Sequence, residues 1–209
     1  MGDIKIGRIP LGSMGTNCYF VYREDVKDAI VFDPGDSGAA LYEKLQDNGI
    51  NVKAIFLTHG HFDHVYGVKE LKEKSGAKVY ACKDELELLR DPELNVSAMM
   101  GRLVTVEPDE LFADGDTYDL CDMTFQVIAT PGHTAGGACF YFKEAGILIA
   151  GDTLFEGSVG RTDFPTGSMK TLVDSINKKL MELPDNTRVY PGHGGTTTIG
   201  DERQNNPFI

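Results

Sequence analysis

Residues 52–57 read VKAIFL and run directly into the hexapeptide His59-Gly60-His61-Phe62-Asp63-His64. That junction constrains the chain more than any other feature. The apolar run is a continuous strand, and side chains alternate along extended backbone, so His59, His61 and Asp63 can point to one side. A turn at Asp63-His64, ahead of a following helix, lets His64 converge from another direction. Imidazole and carboxylate are the ligand types that suit zinc and related first-row metals. A lone histidine is more often a surface or satisfied core residue than a ligand. Three histidines and an aspartate within one hexapeptide instead match a tight metal-binding template.

All five histidines of the chain fall in three short segments, each where a strand runs into a loop. The second segment is Thr130-Pro131-Gly132-His133-Thr134, after TFQVIA, and the third is Pro191-Gly192-His193-Gly194-Gly195, after RVY. Both place a histidine on a Gly-rich loop that can bend tightly enough to present it. Between them Gly151-Asp152 closes the strand ILIA. A carboxylate offers two oxygens, so Asp152 could hold two metal ions at once.

The rest of the chain supplies the frame. Residues 4–11, 18–22 and 29–32 are short β-type runs separated by Gly, Asn, Asp and charged residues. Asp33-Pro34-Gly35 stops the third, and Ser37 is placed to cap a helix through Leu41 and Leu45 to Gly49. Helices are expected over 65–74 and 83–90, with a short strand, KVYA, between them; residues 92–101 carry Met99 and Met100 but no clear period. Residues 117–122 with 124–129, and 139–142 with 147–150, read as strand pairs. Leu172, Val173, Ile176, Leu180 and Leu183 have helical spacing and mark a helix over 168–183. A strand at 188–190 precedes the last histidine. This order predicts two sheets packed together with helices outside. The absence of a Pro/Ser-rich linker or low-complexity segment predicts one domain over 1–209.

Composition narrows the partners. With 41% hydrophobic and 25% charged residues the chain is not disordered in bulk. Its net charge of −12 repels phosphate backbones and argues against nucleic acid. It still allows an anionic small molecule, because bound cations would reverse the local field. No apolar stretch is long enough to span a bilayer, and the N-terminus has no basic segment leading into an apolar run, so no secretory signal is read. Cys18, Cys82, Cys121 and Cys139 lie far apart without CxxC spacing and read as inert thiols of a cytoplasmic protein. The expected partner is a small-molecule substrate, not nucleic acid or membrane; oligomeric state is not encoded legibly.

HGHFDH followed by PGHT, GD and PGHG resembles the metallo-β-lactamase superfamily, and within it the glyoxalase II-like branch. The similarity runs from TNCY near the N-terminus through FDPGD to GRTDFP and NNPF. It implies an α/β fold, a four-layer αββα sandwich with metals at one edge of the two sheets. It implies roles as well: His59, His61 and His133 hold one metal, Asp63, His64 and His193 the other, and Asp152 bridges them. The implied cofactors are two divalent cations, zinc first, with iron or manganese as alternatives. A water shared by two cations has its pKa lowered from about 16 to about 7. The resulting hydroxide can attack a thioester or ester carbonyl, with Asp63 as the catalytic residue that orients it. No G-x-S-x-G nucleophile elbow is present, and none is needed.

The implied activity is hydrolysis of acyl thioesters such as S-D-lactoylglutathione. Typical glyoxalase II enzymes carry a C-terminal helical region that binds glutathione, and this sequence ends at Ile209, soon after His193, so weak discrimination for glutathione is expected. The GRTDF run also resembles persulfide dioxygenases, in which a single iron uses the equivalents of His59, His133 and Asp152. Several polar residues carry two readings. Asp33 is either an acceptor behind a ligand imidazole or a turn-former before Pro34-Gly35. Arg161 and Asp163 contact substrate or form an internal salt bridge that ties down their loop, and Phe155 and Phe164 line the pocket or pack elsewhere.

Overall fold

The computed structural model describes residues 2–209. The first of two six-stranded sheets follows chain order: β1 (Ile4–Leu11), β2 (Thr16–Arg23), β3 (Asp28–Phe32), β4 (Asn51–Phe56), β5 (Lys78–Cys82) and β6 (Glu110–Phe112). Its first three strands are antiparallel and its last four parallel. The change follows from the connections. Short turns join antiparallel neighbours, whereas a parallel neighbour requires a crossover, here made by α1 (Gly38–Asp47) and by α2 (Phe62–Val65) with α3 (Val68–Ser75). A 3₁₀ turn over Lys83–Glu85 leads into α4 (Leu86–Arg90), from which a long segment returns to β6.

The second sheet contains β7 (Thr117–Leu120), β8 (Met123–Ala129), β9 (Ala138–Phe142), β10 (Ile147–Gly151), β13 (Arg188–Pro191) and β14 (Thr197–Thr198), in the order 14-13-10-9-8-7. Only β10 and β13 are parallel, because α5 (Met169–Ser175) crosses between them. A small hairpin of β11 (Leu154–Phe155) and β12 (Ser158–Val159) follows β10, and α6 (Ile199–Asn205) closes the chain.

Period-two alternation sorts the apolar side chains into three layers of core. In β3, Ile30 and Phe32 face the other sheet while Ala29 and Val31 face α1 and α3. In β10, Ile147 and Ile149 face inward while Leu148 and Ala150 meet Leu172, Ile176 and Leu180. β4 departs from strict alternation: Ala29 pairs with Val52 and Ile30 with Ala54, so exposed Lys53 is the extra residue of a bulge. The bulge turns Phe56 toward the inter-sheet core and Leu57 toward the helices. Between the sheets Phe56 meets Phe125 at 5.2 Å and Phe140 at 5.5 Å, and Phe32 meets Phe140 at 5.0 Å. Each such pair adds about 0.5–1.5 kcal/mol beyond area burial, which fixes the two sheets against each other. The result is the αββα sandwich.

Local expectations differ from the structure at three helices. The helix expected over 65–74 is broken at Gly67, whose N–H donates to the Pro34 carbonyl at 2.8 Å. Ser37 precedes α1 but lies in the left-handed region at φ 50° and makes no cap bond; Glu70 of α3 instead accepts from the Ala39 N–H at 3.2 Å. Over 168–183, Ser168 does cap α5 by accepting from Thr171, but the chain widens to a π-type turn at Ile176–Leu180. The short elements β6, β11, β12, β14 and α6 have too few residues to show a period. All four cysteines are free, and no helix among the described residues is long and apolar enough to cross a membrane.

Candidate metal centre

β4, β8, β10 and β13 end at one edge of the sandwich, and the loops that leave them carry every candidate ligand. β4 delivers His59 and His61 on extended backbone, and α2 begins at once, so Asp63 and His64 sit on its first turn. β8 delivers His133, β13 delivers His193, and β10 delivers Asp152. The end of β10 is bulged: Gly151 pairs with Pro191 out of register and takes φ 49°. A Cβ on Gly151 would lie 2.3 Å from Thr58 Oγ1, so only glycine lets the strand turn there and aim Asp152 inward.

All seven side chains converge. His133 Nε2 lies 2.9 Å from His61 Nδ1 and 3.2 Å from His59 Nε2. Asp63 Oδ2 lies 3.2 Å from His193 Nε2 and 3.7 Å from His64 Nε2. Asp152 stands between these groups, with Oδ2 3.7 Å from His133 and 3.6 Å from His193, and Oδ1 3.4 Å from His64. His59, His61 and His133, and separately Asp63, His64 and His193, each offer ligand atoms within 4.8 Å of one another.

The other ring nitrogens fix the imidazoles. His133 Nδ1 donates to the Arg161 carbonyl at 2.7 Å, and His64 Nδ1 donates to Asp33 Oδ2 at 2.9 Å. Thr58 Oγ1 donates to Asp33 Oδ2 at 2.6 Å, which leaves its lone pair to accept from His59 Nδ1 at 3.0 Å. Asp33 thus supports two histidines, one directly and one through Thr58, while ending β3 in the left-handed region at φ 50°. Both readings of Asp33 apply. The TNCY segment is explained too. Thr16 donates to Asp63 Oδ2 at 2.8 Å; Asn17 and Tyr19 each donate to the Pro191 carbonyl at 2.9 Å, pinning the loop that carries His193.

The donor set suits cations. Burial drives His59 well below the ordinary histidine range and His61 down to about 3, with neighbouring imidazoles adding to the effect. These rings are therefore neutral, the form that binds metal. Burial would lower His64 as well, but Asp63 and Asp152 outweigh it and hold its proton on. That proton occupies the position where a cation would neutralise the same carboxylates. The buried atoms His61 Nε2, His64 Nε2 and Asp152 Oδ1 have no hydrogen-bond partner. Buried polar atoms are rarely left so, and for His64 and Asp152 a cation would supply what is missing.

One buried carboxylate escaped sequence reading. Glu85, in the charged run KDELELLR, accepts from the Gly60 N–H at 2.9 Å and the Gly136 N–H at 2.6 Å. It ties the His59–His61 loop to the loop after His133, a role with no local signature. Burial pushes its carboxyl from 4.5 to about 7, although those backbone N–H groups oppose the rise. Between these values the folded chain holds a proton that the unfolded chain has lost, so this contribution to stability falls as pH rises from 4.5 to about 7 and is flat above. We expect chelator-treated protein to lose about 3 kcal/mol more than its Glu85→Gln variant between pH 4.5 and 7.5. Urea unfolding at both pH values tests this, and parallel pH profiles for the two proteins would refute it.

Arg161 makes a bidentate pair with Asp163, both bonds 2.7 Å, and its guanidinium lies 3.8 Å from the Phe164 ring. Phe164 in turn meets His61 at 5.6 Å, and Phe155 lies 6.5 Å from His193. Both rings and Arg161 line the cleft above the centre.

Residues 11–193 match the model of the metallo-beta-lactamase superfamily. The chain belongs to that superfamily. Hydroxyacylglutathione hydrolase GloC of Haemophilus influenzae is 35% identical over 99% of this chain and 98% of its own. Among solved structures, the B3 metallo-beta-lactamase BLEG-1 superposes with a TM-score of 0.93 at 40% identity, covering 98% of this chain and 99% of that one. TTHA1623 in a di-iron-bound form superposes with a TM-score of 0.87 at 36% identity, covering 97% and 100%. The metallo-beta-lactamase fold expected from the motifs is the fold observed, and the chain is a metal-dependent hydrolase of this superfamily.

Proposed function

We propose that the chain, as one functional unit over 1–209, hydrolyses acyl thioesters at a centre of two divalent cations. The observation that carries this reading is the position of Asp152. One carboxylate faces His133, His64 and His193 at 3.4–3.7 Å, so it reaches both donor groups. In this reading His59, His61 and His133 would hold one cation, Asp63, His64 and His193 the other, and Asp152 would be shared by both. Zinc is the proposed metal, and iron or manganese would fit the same donors.

When bound, the two cations supply an acidified water and a Lewis acid for the carbonyl oxygen. The chain's own groups do the rest. Asp63, anchored by Thr16, orients the attacking water. Asp33 and the Arg161 carbonyl keep the imidazoles in register, so little reorganisation accompanies reaction. The buried thiols stand outside this scheme. Similarity to GloC supports a thioester as the reacting group. The free thiols fit a reducing compartment, and we place the chain in the cytoplasm.

Metal-replete protein is expected to carry close to two transition-metal ions per chain and to turn over S-lactoylglutathione or other acyl thioesters. Elemental analysis with a panel of thioesters, a β-lactam and oxygen uptake tests it. A single iron with oxygen uptake would overturn the reading in favour of a persulfide dioxygenase built on His59, His133 and Asp152. Those three also converge, with His133 Nε2 3.2 Å from His59 and 3.7 Å from Asp152.

A further inference from the structure

The cleft over the centre encloses about 580 Å³, and its walls are apolar to a degree that attack on a carbonyl does not require. Above the histidines the walls are Met14, Val96, Met99, Met100, Phe155 and Phe164. Three of the chain's seven methionines therefore stand at one mouth. They come from two separate loops, one between β1 and β2 and one between α4 and β6. Met14, Met99 and Met100 are 52%, 75% and 49% exposed, so they contribute little to the core. An apolar patch of this kind beside a reactive centre is a binding surface. Thioether side chains also adapt to ligands of varied shape.

The charge of the cleft points the same way. Arg161 is its only lysine or arginine. Its guanidinium is already taken, by two bonds of 2.7 Å to Asp163 and by the face of Phe164. A peptide thiol carrying two carboxylates would find no uncommitted arginine or lysine among the lining residues, on a chain whose net charge is −12.

We infer that the substrate carries an apolar arm several carbons long, attached either to the reacting carbonyl or to its leaving sulfur, and that Met14, Met99 and Met100 grip it. The inference rests on the thioester reading for the reacting group. The cleft's preference can be read separately from turnover.

The test uses metal-loaded protein and two thioester series, one lengthening the acyl chain and one lengthening an alkyl thiol. In one of them kcat/KM is expected to rise about threefold per methylene over the first few carbons, and that series identifies where the arm is attached. The longest member should exceed S-lactoylglutathione. Met99→Asp with Met100→Asp should cost that longest member at least about tenfold, since each charge replaces apolar wall. Met169→Gln, at a residue 43% exposed but outside the cleft, should keep the full gain. Flat series, or a preference for S-lactoylglutathione, would overturn the inference. Calorimetry with aliphatic hydroxamates of increasing length gives a readout without turnover. Steep length dependence with no thioester hydrolysed would sink the thioester reading and leave the apolar arm standing. Length-independent affinity would sink the apolar arm whatever is hydrolysed.

Discussion

Asp152→Ala is expected to empty both halves of the proposed centre and to lower thioester turnover more than any single histidine-to-alanine change. The reason is geometric. Each histidine serves one donor group, whereas Asp152 approaches His133 on one side and His64 and His193 on the other at 3.4–3.7 Å. Removing a group that merely supports a ligand costs about 10- to 100-fold, so a shared ligand should cost more than about 100-fold. The comparison needs metal content and steady-state rates for Asp152→Ala beside His61→Ala and His193→Ala. Near-normal metal content in Asp152→Ala would remove the bridging role.

Gly192→Ala should have nearly as large an effect while adding a single methyl group. A Cβ at position 192 would lie 2.2 Å from Asp152 Oδ1 and 2.7 Å from His64 Cε1. The backbone cannot withdraw, because the Gly192 N–H donates to the Gly151 carbonyl at 2.8 Å and its own carbonyl accepts from the Asn17 N–H at 2.7 Å. Asp152 must therefore swing away from His64. Overpacking costs about 1–3 kcal/mol in stability. Displacing a shared ligand should weaken metal binding by at least the roughly 10- to 100-fold seen for supporting groups. Metal titration and thermal unfolding of the variant check both numbers. Wild-type metal affinity in Gly192→Ala would mean that the two loops are less tightly locked than their hydrogen bonds imply.

What was legible in the sequence was local. HGHFDH announces its chemistry because four ligand-type side chains sit within one turn's reach of each other, directly after a strand that fixes their alternation. The order of strands and helices likewise implies two sheets with helices outside, but residues 29–32 are apolar throughout, and only the packed sheets sort Ile30 and Phe32 from Ala29 and Val31. Helix ends were less legible. Gly67 and the π-type turn after Ser175 answer to packing against Pro34 and the second sheet, not to propensity.

Only the tertiary structure decided which distant residues serve the centre. Asp33 meets His64, Glu85 meets Gly60 and Gly136, and Thr16 meets Asp63, all across separate elements. A single carboxylate or hydroxyl carries no periodic signal, so Asp33 reads equally as a turn-former, Thr16 is only part of a matching run, and Glu85 is indistinguishable from its charged neighbours. Arg161 and the methionines make the same point. Arg161 both pairs with Asp163 and lines the cleft, and Met99 and Met100, from a segment with no period, stand at its mouth. The ligand types follow from side-chain chemistry, which the sequence states outright. Their support and the character of the cleft follow from distances between loops, which exist only once the two sheets have packed.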